Sequence, residues 1–502
     1  MPSDKTFALY NTLTHQVEPL TPLEPGHLRF YACGPTVYSY AHIGNFRSFL
    51  TADLILRTAR AIGWETTYVS NITDVGHLTE DDYADAGGED RMAKALRSKE
   101  GERFANVWDL ARYYTQVLLE DWRLLNLHEP DVRPRATEHV MQQIKAVERL
   151  LDQGYAYETR NGVYFSVTSF PQYGKLSGNI ASDQLAEGVR DVVLDAEKRD
   201  PRDFALWKKD PTHLMQWHSP WGWGFPGWHI ECSVMSMAYL GEQFDLHTGG
   251  EDNIFPHHDC EIAQSESLTG KPWVPHWVHT RFLQVEGEKM AKSTGNFYRV
   301  RDLIAPESEG GRGIDPLALR LALIAGQYRK PYNFTFDTLR ANALHVRRLR
   351  EALHRVDQVA AADAPGPDRV GARLDALYGR TLDALLDDLN TPAAIAAVLD
   401  GVKLINGLGD HLNGASARQA RAWLGRVNAL LGIVYHAAES AASPGAVDPL
   451  AAQVDALLAE RRAARQAKDY ARSDAIRDDL DALGIEVMDT AEGTKWRRKL
   501  SV

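Results

Sequence analysis

The sequence predicts an α/β fold in which a parallel sheet is divided by an insertion and followed by a helical bundle and a small mixed C-terminal unit. Three observations predict this architecture. Strand, helix and strand patterns follow one another within residues 6–76. A second sheet pattern appears only after residue 225, and the chain from residue 316 onward is almost wholly helical in pattern.

The first strand–helix–strand unit begins near residue 6. The segment HLRFYACGPTVY carries alternating apolar residues, FRSFLTADLILRTARAIG has apolar residues at helical spacing, and WETTYVSNITDVG is rich in β-branched and aromatic residues. This order predicts a Rossmann-like parallel sheet. Because such sheets bind ligands beyond the carboxyl ends of their strands, functional side chains are expected in the loops there.

An insertion is expected to divide this sheet. Residues 94–153 have helical patterning, and NGVYFSVTSFPQYGKLSG is typical of short strands separated by Pro and Gly turns. The segments WHIECSVMSMAYLG and FDLHTGGEDNIFPHHDCEIAQSE then predict that the sheet pattern resumes, with a Gly-Gly turn and a helix that starts near Pro256. Two halves of one sheet should therefore flank a connective domain.

The C-terminal part is predicted to be a helical bundle joined to a small domain. LALRLALIAG, ANALHVRRLREALHRV and LDALLDDLNTPAAIAAVLDGVKLINGLG have apolar residues three and four apart, and ESAASPGAVDP is typical of a linker. The expected divisions are 1–125 and 226–275 for the halves of the Rossmann-like domain, 126–225 for the connective insertion, 276–338 for a region with a lysine-containing loop, 339–440 for the bundle and 449–502 for the C-terminal domain.

Composition limits the possible classes of protein. The chain has 502 residues, enough for several domains that each bury a core, and its formal net charge of -12 argues against an unspecific nucleic-acid coat. No run approaches the ~20 apolar residues of a membrane-spanning helix. The N-terminus lacks a cationic segment followed by an apolar run, so a cytoplasmic protein without membrane segments is expected.

The three cysteines, Cys33, Cys232 and Cys260, are too few and too scattered for a disulfide framework. Cys33 and Cys232, together with His257 and Glu261, would supply two thiolates, an imidazole and a carboxylate. This donor set suits zinc better than calcium or magnesium, and the last two residues lie on one face of the expected helix. The alternative is that both cysteines are small buried hydrophobic residues, which spacing alone would favour.

Two short motifs contain residues suited to phosphate chemistry. CGPTVYSYAHIGN lies between a strand and a helix, where its glycines permit close backbone approach and His42 can donate hydrogen bonds to phosphate oxygens. EGEKMAKSTGNF places Lys289 and Lys292 in a loop that can neutralise charge on a phosphate group during its transfer. Taken singly, each motif more often belongs to an ordinary strand–turn–helix or to a solvated surface loop.

Together, these motifs resemble the His-Ile-Gly-His and Lys-Met-Ser-Lys-Ser signatures of class I aminoacyl-tRNA synthetases. Here Asn45 replaces the second His and Ala291 the first Ser, but the Asn45 amide can still donate a hydrogen bond and both lysines are intact. The resemblance implies activation of an amino acid with ATP, with His42, Asn45, Lys289 and Lys292 as catalytic residues. It implies ATP binding by Gly34, His42, Gly44, Asn45, Lys289, Lys292 and Ser293.

A more specific resemblance is to the cysteinyl-tRNA synthetases. The segments YACGPTVY, GWHIECSVM, FDLHTGGEDNIFPHHDCEIAQSE and KMAKSTGNF occur in that family's order, and the tail AARQAKDYARSDAIRDDLDALGIEVMDTAEGTKWRR is also similar. The resemblance implies that zinc is bound by Cys33, Cys232, His257 and Glu261. It also implies an amino-acid pocket lined by Thr73, Trp228 and His247, which singly would be taken for a strand-end Thr, a core aromatic and a structural His. Cys260 is expected to be a bystander, since its side chain points about 100° away from Glu261 around the helix.

The resemblance also implies the partners. We expect a monomer that binds ATP with Mg²⁺, L-cysteine, one Zn²⁺ per chain and tRNA(Cys). The bundle is expected to contact tRNA, the region 276–338 to contact the tRNA stem, and the C-terminal domain to bind the anticodon. Candidate phosphate contacts are Arg347, Arg348, Arg350 and Arg355 on one helix and Arg461, Arg462, Arg465, Lys495, Arg497 and Arg498 in the tail, with Trp496 as a candidate for base stacking. The alternative is that these charged faces are simply solvated.

Three other functions fit parts of this pattern. A cysteine:amino-sugar ligase would share the adenylating domain and the zinc, but it should not need residues 340–502. A non-catalytic tRNA-binding paralogue would keep the fold, but the intact His42, Lys289 and Lys292 argue against it. A structural zinc protein would not form an adenylate.

Overall fold

A computed structural model describes residues 5–76, 90–179, 197–290, 295–362, 365–436, 449–467, 469–482, 485–490 and 493–498. The strands are β1 (Ala8–Asn11), β2 (Gln16–Pro19), β3 (His27–Ala32), β4 (Glu65–Ser70), β5 (Ala156–Glu158), β6 (Gly162–Phe165), β7 (Phe204–Lys209), β8 (Trp217–Ser219), β9 (Gly222–Pro226), β10 (Leu246–Gly250), β11 (His276–Thr280), β12 (Leu283–Val285), β13 (Glu288–Lys289), β14 (Tyr332–Phe334), β15 (Ile485–Thr490) and β16 (Gly493–Arg498). The α-helices are α1 (Ile43–Ala61), α2 (Arg91–Leu96), α3 (Val107–Leu124), α4 (Val140–Asp152), α5 (Trp228–Leu240), α6 (Asp259–Thr269), α7 (Val300–Ile304), α8 (Pro316–Ile324), α9 (Phe336–Ala361), α10 (Gly371–Leu386), α11 (Thr391–Asn406), α12 (Gly414–Leu431), α13 (Pro449–Gln466) and α14 (Tyr470–Ala482).

The central sheet is parallel and has the strand order β11-β10-β3-β4. The predicted α/β fold with a parallel sheet is therefore confirmed. From β3 the chain passes through α1 to β4 on one side, whereas β10 pairs with β3 on the other side. The crevice between the carboxyl ends of β3 and β10 is a topological switch point, the place where open parallel sheets bind ligands.

A second sheet lies between the two halves of the parallel sheet along the chain. Its five strands are antiparallel in the order β5-β6-β7-β9-β8. Helix α4 contributes Val140, Ile144, Val147 and Leu150 to a core shared with these strands and with α5 and α6. This core joins the sheet to the helices that carry the candidate metal ligands.

The segment WHIECSVMSMAYLG is helix α5, so its assignment to the sheet pattern was wrong. Its residues are buried on nearly every side, and a short apolar run buried in this way has no polar face to distinguish a helix from a strand. The following helix starts near Pro256, as predicted, because the π-helical turn Ile254–His258 has helical geometry after Phe255 and leads directly into α6 at Asp259.

Helices α8 to α12 form the predicted bundle, with α9 packed against α8 and α12, and α10 against α11. Beyond it, α13 and α14 pack on each other and β15 pairs with β16 as an antiparallel hairpin. Among the described residues, no helix is both long and apolar enough to span a membrane.

Candidate active site and metal centre

The four predicted metal ligands come together at the switch point of the parallel sheet. Cys33 directly follows β3 and continues its pairing with β10, since its N–H donates to the Thr248 carbonyl at 3.1 Å. Cys232 lies in α5, His257 in the turn before α6, and Glu261 in the first turn of α6. Their ligand atoms all lie within 4.8 Å of one another, and all four residues are buried.

The spacing of the donor atoms fits a zinc ion. The two sulfurs are 3.9 Å apart, and the Cys33 Sγ is 3.7 Å from Glu261 Oε1. Two Zn–S bonds of about 2.3 Å at a tetrahedral angle would separate the sulfurs by about 3.8 Å. His257 Nε2 lies 2.8 Å from Glu261 Oε1, so the imidazole and the carboxylate converge on the same point. Two soft sulfurs with one nitrogen and one oxygen form a donor set typical of zinc.

The charges of these groups are strongly coupled. The hydrogen bond from Cys33 lowers the pKa of Cys232 to about 6 against the opposing effect of burial, while burial raises the pKa of Cys33 well above its usual value. Burial also opposes ionisation at His257 and Glu261. The Glu261 charge nevertheless raises the pKa of His257 to about 10, and the neighbouring histidines His247 and His257 lower the pKa of Glu261 to about 2. The cluster therefore favours a thiolate at Cys232 and a carboxylate at Glu261, the forms that bind a metal, whereas Cys33 and His257 hold protons that metal binding would displace.

A second layer of histidines surrounds the ligands, and it was missed in the sequence. His229 Nδ1 lies 2.9 Å from His257 Nδ1, and His258 Nδ1 lies 2.7 Å from His279 Nε2. His258 Nε2 is also 3.4 Å from Cys33 Sγ, which makes Cys33, His247, His258 and Glu261 an overlapping second group with metal-ligand geometry. Burial lowers the pKa of His279 to about 3. The adjacent histidines His257 and His258 are the feature of the sequence that could have indicated this second layer.

Two of the three predicted pocket residues, Trp228 and His247, lie against the metal-ligand cluster. The Trp228 ring centroid lies 4.1 Å from that of His257, and His247 Nε2 lies 3.0 Å from Glu261 Oε2 while its ring stacks on Trp277 at 4.5 Å. Thr73 is buried three residues beyond the end of β4, where its hydroxyl accepts a hydrogen bond from the Asn71 amide at 3.1 Å.

Gly34 follows the first ligand and passes very close to the neighbouring chain segment. Its N–H donates to the Asn71 side-chain oxygen at 2.8 Å. A Cβ atom at this position would lie 1.7 Å from the Asn71 carbonyl oxygen, so only glycine is compatible with this path. The close approach holds the start of the first motif against the end of β4.

His42 and Asn45 cap the start of α1 reciprocally. The His42 N–H donates to Asn45 Oδ1 at 3.0 Å, and the Asn45 N–H donates to His42 Nδ1 at 3.1 Å. This arrangement is a capping box, in which two otherwise unpaired helix donors are satisfied. Because Nδ1 is the acceptor, the neutral imidazole carries its proton on Nε2 and donates from that atom.

The two arms of the lysine-containing loop contact the start of α1. On the first arm, Lys289 ends β13 and is exposed, and the next residue, Met290, comes so close to Gly44 that an added Cβ would lie 3.1 Å from its Cε. On the second arm, the Phe297 ring meets His42 edge-on at 5.1 Å between ring centroids, and the Ile43 N–H donates to the Tyr298 carbonyl at 3.0 Å. The predicted ligands Lys292 and Ser293 lie outside the described residues.

Several arginines predicted to contact RNA have partners within the chain. On α9, Arg350 pairs with Asp315, Arg347 with Glu351 at 3.6 Å, and Arg355 donates to the Gly409 carbonyl, whereas Arg348 is exposed. In α13, Arg461 is buried, while Arg462 and Arg465 are exposed. The side chains of Lys495, Trp496, Arg497 and Arg498 lie outside the described part of the chain.

The fold is similar to those of solved synthetases. The chain aligns with the Mycobacterium tuberculosis methionyl-tRNA synthetase in complex with methionyl-adenylate at a TM-score of 0.54 and 15% identity, over 81% of this chain and 90% of that one. It aligns with LeuRS of Agrobacterium radiobacter K84, from a complex with tRNA and LeuAMS, at 0.57 and 11% identity, over 86% of each. Residues 19–343 match the tRNA synthetases class I (C) catalytic domain. The protein is therefore a class I aminoacyl-tRNA synthetase.

The matches along the rest of the chain specify the family. Residues 382–435 match the DALR domain and residues 448–497 the cysteinyl-tRNA ligase anticodon binding domain. The chain is 64% identical to the "Cysteine--tRNA ligase" of Salinibacter ruber over all of both chains, and 42% identical to that of Thermus thermophilus over 97% of this chain and 98% of the relative. The chain belongs to the cysteine--tRNA ligase family of enzymes.

Proposed function

We propose that this protein activates L-cysteine with ATP and transfers it to the 3′ end of tRNA(Cys), and that a zinc ion held by Cys33, Cys232, His257 and Glu261 selects the cysteine thiol. One observation carries the proposal. Two thiols, an imidazole and a carboxylate are buried together at the switch point of a parallel sheet whose first helix is capped by His42. The names of the relatives support cysteine and tRNA as substrates.

Selection of cysteine is the reason for a metal in this site. Cysteine and serine differ by one side-chain atom, and pocket shape alone rejects a near-isostere only by about 100-fold. A bound zinc ion would coordinate the thiolate of the substrate and would leave the serine hydroxyl a poor ligand. Thr73, Trp228 and His247 are proposed to line the pocket that presents the amino acid to the ligand cluster.

The first chemical step needs no protein nucleophile. The cysteine carboxylate oxygen attacks the α-phosphorus of ATP, which enters with Mg²⁺. The bond from that phosphorus to the bridging oxygen of pyrophosphate breaks, and pyrophosphate leaves with the bond electrons. His42, through Nε2–H, and the Asn45 amide would donate hydrogen bonds to phosphate oxygens, with Gly34 and Gly44 allowing close approach. Lys289, Lys292 and Ser293 would hold the triphosphate.

The second step transfers the aminoacyl group. A ribose hydroxyl at the 3′ end of tRNA attacks the carbonyl carbon of the adenylate, loses its proton and displaces AMP. The regions that match the DALR and anticodon binding domains are proposed to hold the remainder of the tRNA. Arg348, Arg462 and Arg465 are exposed and remain candidates for phosphate contacts.

The proposal is tested by cysteine-dependent ATP–pyrophosphate exchange together with zinc analysis of the same sample. We expect exchange with cysteine but not with serine, about one zinc per chain as a single four-ligand site requires, and charging of tRNA. Exchange without charging would instead support a cysteine:amino-sugar ligase. No exchange by the folded, zinc-loaded protein would support a non-catalytic paralogue.

The role of the lysine loop is tested separately by Lys292→Ala. Loss of a preorganised donor to the transition state should slow exchange by about 100-fold or more while the zinc content stays unchanged. The control is Lys271→Ala, because Lys271 is exposed on another loop, where it pairs with Glu242 at 2.6 Å. An exchange rate that is the same in both variants would contradict the assigned role.

A further inference from the structure

An arginine–tyrosine cluster lies beside the start of α1. It consists of Tyr40, Arg103, Phe104, Tyr113 and Arg299. The hydroxyls of Tyr40 and Tyr113 are 3.0 Å apart. The Arg299 guanidinium lies over the Tyr40 ring at 4.6 Å, and that of Arg103 lies over Tyr113 at 4.1 Å and over Phe104 at 4.7 Å. Two guanidinium groups and three aromatic rings thus form one continuous cluster, in which the Tyr40 and Tyr113 rings meet edge-on.

This arginine–tyrosine cluster is continuous with the residues assigned to ATP chemistry. Tyr40 precedes His42 by two residues, and Arg299 pairs with His42 through an antiparallel backbone bridge. Arg299 also follows Phe297, whose ring contacts the His42 imidazole. The cluster therefore borders the position where the adenylate is expected to form.

Neighbouring carboxylates partly neutralise the two arginines of this cluster. Asp302 binds the edge of Arg299 through both of its oxygens at 2.6–3.0 Å, and Glu100 lies 3.9 Å from Arg103. The side chains of Arg299 and Arg103 remain 38% and 44% exposed, so a ligand can reach them although their charge is partly compensated. A ligand bound here would gain more from stacking than from neutralisation of phosphates.

We propose that the arginine–tyrosine cluster binds the unpaired nucleotides at the 3′ end of the tRNA by stacking on their bases. The proposal rests on the proposed function and deepens it. The terminal ribose must reach the adenylate beside His42, so the nucleotides before it must pass over the surface that borders this residue. Single-stranded RNA is commonly bound by aromatic rings and guanidinium planes, which stack on any base.

The experiment compares two tRNA(Cys) transcripts, one intact and one that ends at its last base-paired nucleotide. Arg103→Ala and Tyr113→Ala should each weaken binding of the intact transcript by about 10-fold, the scale of one lost stacking contact, and leave binding of the shortened transcript unchanged. Tyr113→Phe keeps the ring and should bind both transcripts like the wild type. Arg112→Ala is the matched control, since Arg112 lies on the same helix, is exposed and pairs with Asp109 outside the cluster.

Other outcomes would overturn the proposal. Equal loss of affinity for both transcripts would assign the cluster to the paired stem. A raised KM for ATP in pyrophosphate exchange, with the affinity for intact tRNA unchanged, would assign it to the adenine of ATP. Unchanged binding of both transcripts by folded variants would exclude any role in RNA binding. Cysteine-dependent exchange by the wild-type protein tests the proposed function independently of these results.

Discussion

Cys232 and Cys260 are both buried thiols, yet their surroundings differ in kind. Cys232 lies 3.9 Å from Cys33 and beside His257, both of which lower its pKa, and Glu261 supplies a further donor atom. Cys260 packs in the core of the inserted sheet, with its sulfur 3.5 Å from the Tyr173 hydroxyl. Thiolate character depends on neighbouring groups, so burial alone does not make a metal ligand.

We therefore predict that Cys232→Ser and Cys260→Ser differ in zinc content. Serine at position 232 replaces a soft sulfur by a hydroxyl, so bound zinc should fall from about one ion per chain to a small fraction of that, because structural thiolates provide the strongest bonds to zinc. Cys260→Ser should retain its zinc. Metal analysis after gel filtration checks both variants, and equal zinc in the two would contradict the assigned ligand set.

At the scale of elements, the first turn of α1 is organised by side chains from both motifs. Its reciprocal cap joins His42 and Asn45, and the arms of the lysine-containing loop contact it through Met290, Phe297 and the Tyr298 carbonyl. The same residues therefore stabilise a helix end and orient the imidazole that is proposed to bind ATP phosphates. Loss of this cap should therefore reduce both the stability of the protein and the rate of the reaction. Loss of a helix cap elsewhere should reduce stability alone.

This difference is tested with Asn45→Ala and Asn390→Ala. Each removes a side-chain cap and should cost about 1 kcal/mol of stability, since Asn390 caps α11 through the Ala393 N–H. Only Asn45→Ala should also slow pyrophosphate exchange, by about 10-fold or more, because it loosens His42.

Asn45→Asp separates the two roles of Asn45, because it keeps the acceptor oxygen and adds a negative charge that suits a helix N-terminus but loses the amide donor. It should keep the wild-type melting temperature and still slow exchange. Equal exchange rates in Asn45→Ala, Asn45→Asp and Asn390→Ala would show that Asn45 has no role in catalysis.

At the scale of the whole molecule, a buried ion cluster joins the sheet domain to the bundle. Arg320 on α8 is fully buried, pairs with Asp53 on α1 and donates to the Leu431 carbonyl at the end of α12 at 2.6 Å and to the Asn126 carbonyl at 3.0 Å. Arg57 also pairs with Asp53 at 2.7 Å. These bonds fix the bundle against the helix that carries His42.

The buried ion cluster around Asp53 predicts that the stability of the protein depends on pH. Burial raises the pKa of Asp53, but Arg57 and Arg320 outweigh it and hold this pKa well below its usual value. A depressed pKa in the folded protein stabilises it above about pH 4, and this stabilisation is lost as the pH falls toward the folded-state value. Asp53→Asn should cost about 3–5 kcal/mol at pH 7 because it leaves two buried arginines without a countercharge.

Denaturant unfolding of wild type and Asp53→Asn at pH 7, 4 and 3 checks this prediction, and the difference between them should shrink at the lowest pH. The control is Asp337→Asn, whose side chain is 91% exposed and should change stability little at any pH. If the difference in unfolding free energy between wild type and Asp53→Asn stayed constant from pH 7 to pH 3, the carboxylate charge of Asp53 would not be what stabilises the buried ion cluster.

The sequence alone determined the α/β class, the parallel sheet and the helical bundle, because apolar periodicity and Gly or Pro turns are local properties. The family was also predicted from local strings, the His42 and Lys289 motifs and the segments around Cys33, Cys232 and His257. Apolar periodicity did not identify α5 as a helix, because a segment buried on nearly all sides has no polar face to reveal the helical spacing.

The resemblance implied the four metal ligands, but only the tertiary structure shows how they meet and which further residues surround them. Cys33 and Glu261 are far apart along the chain and meet because the sheet brings the ends of β3 and β10 together. His229 and His279 carry no spacing signal of their own, and the contact of Arg299 with the Tyr40 ring joins distant segments. Such contacts depend on packing between elements, which a pattern of neighbouring residues does not contain.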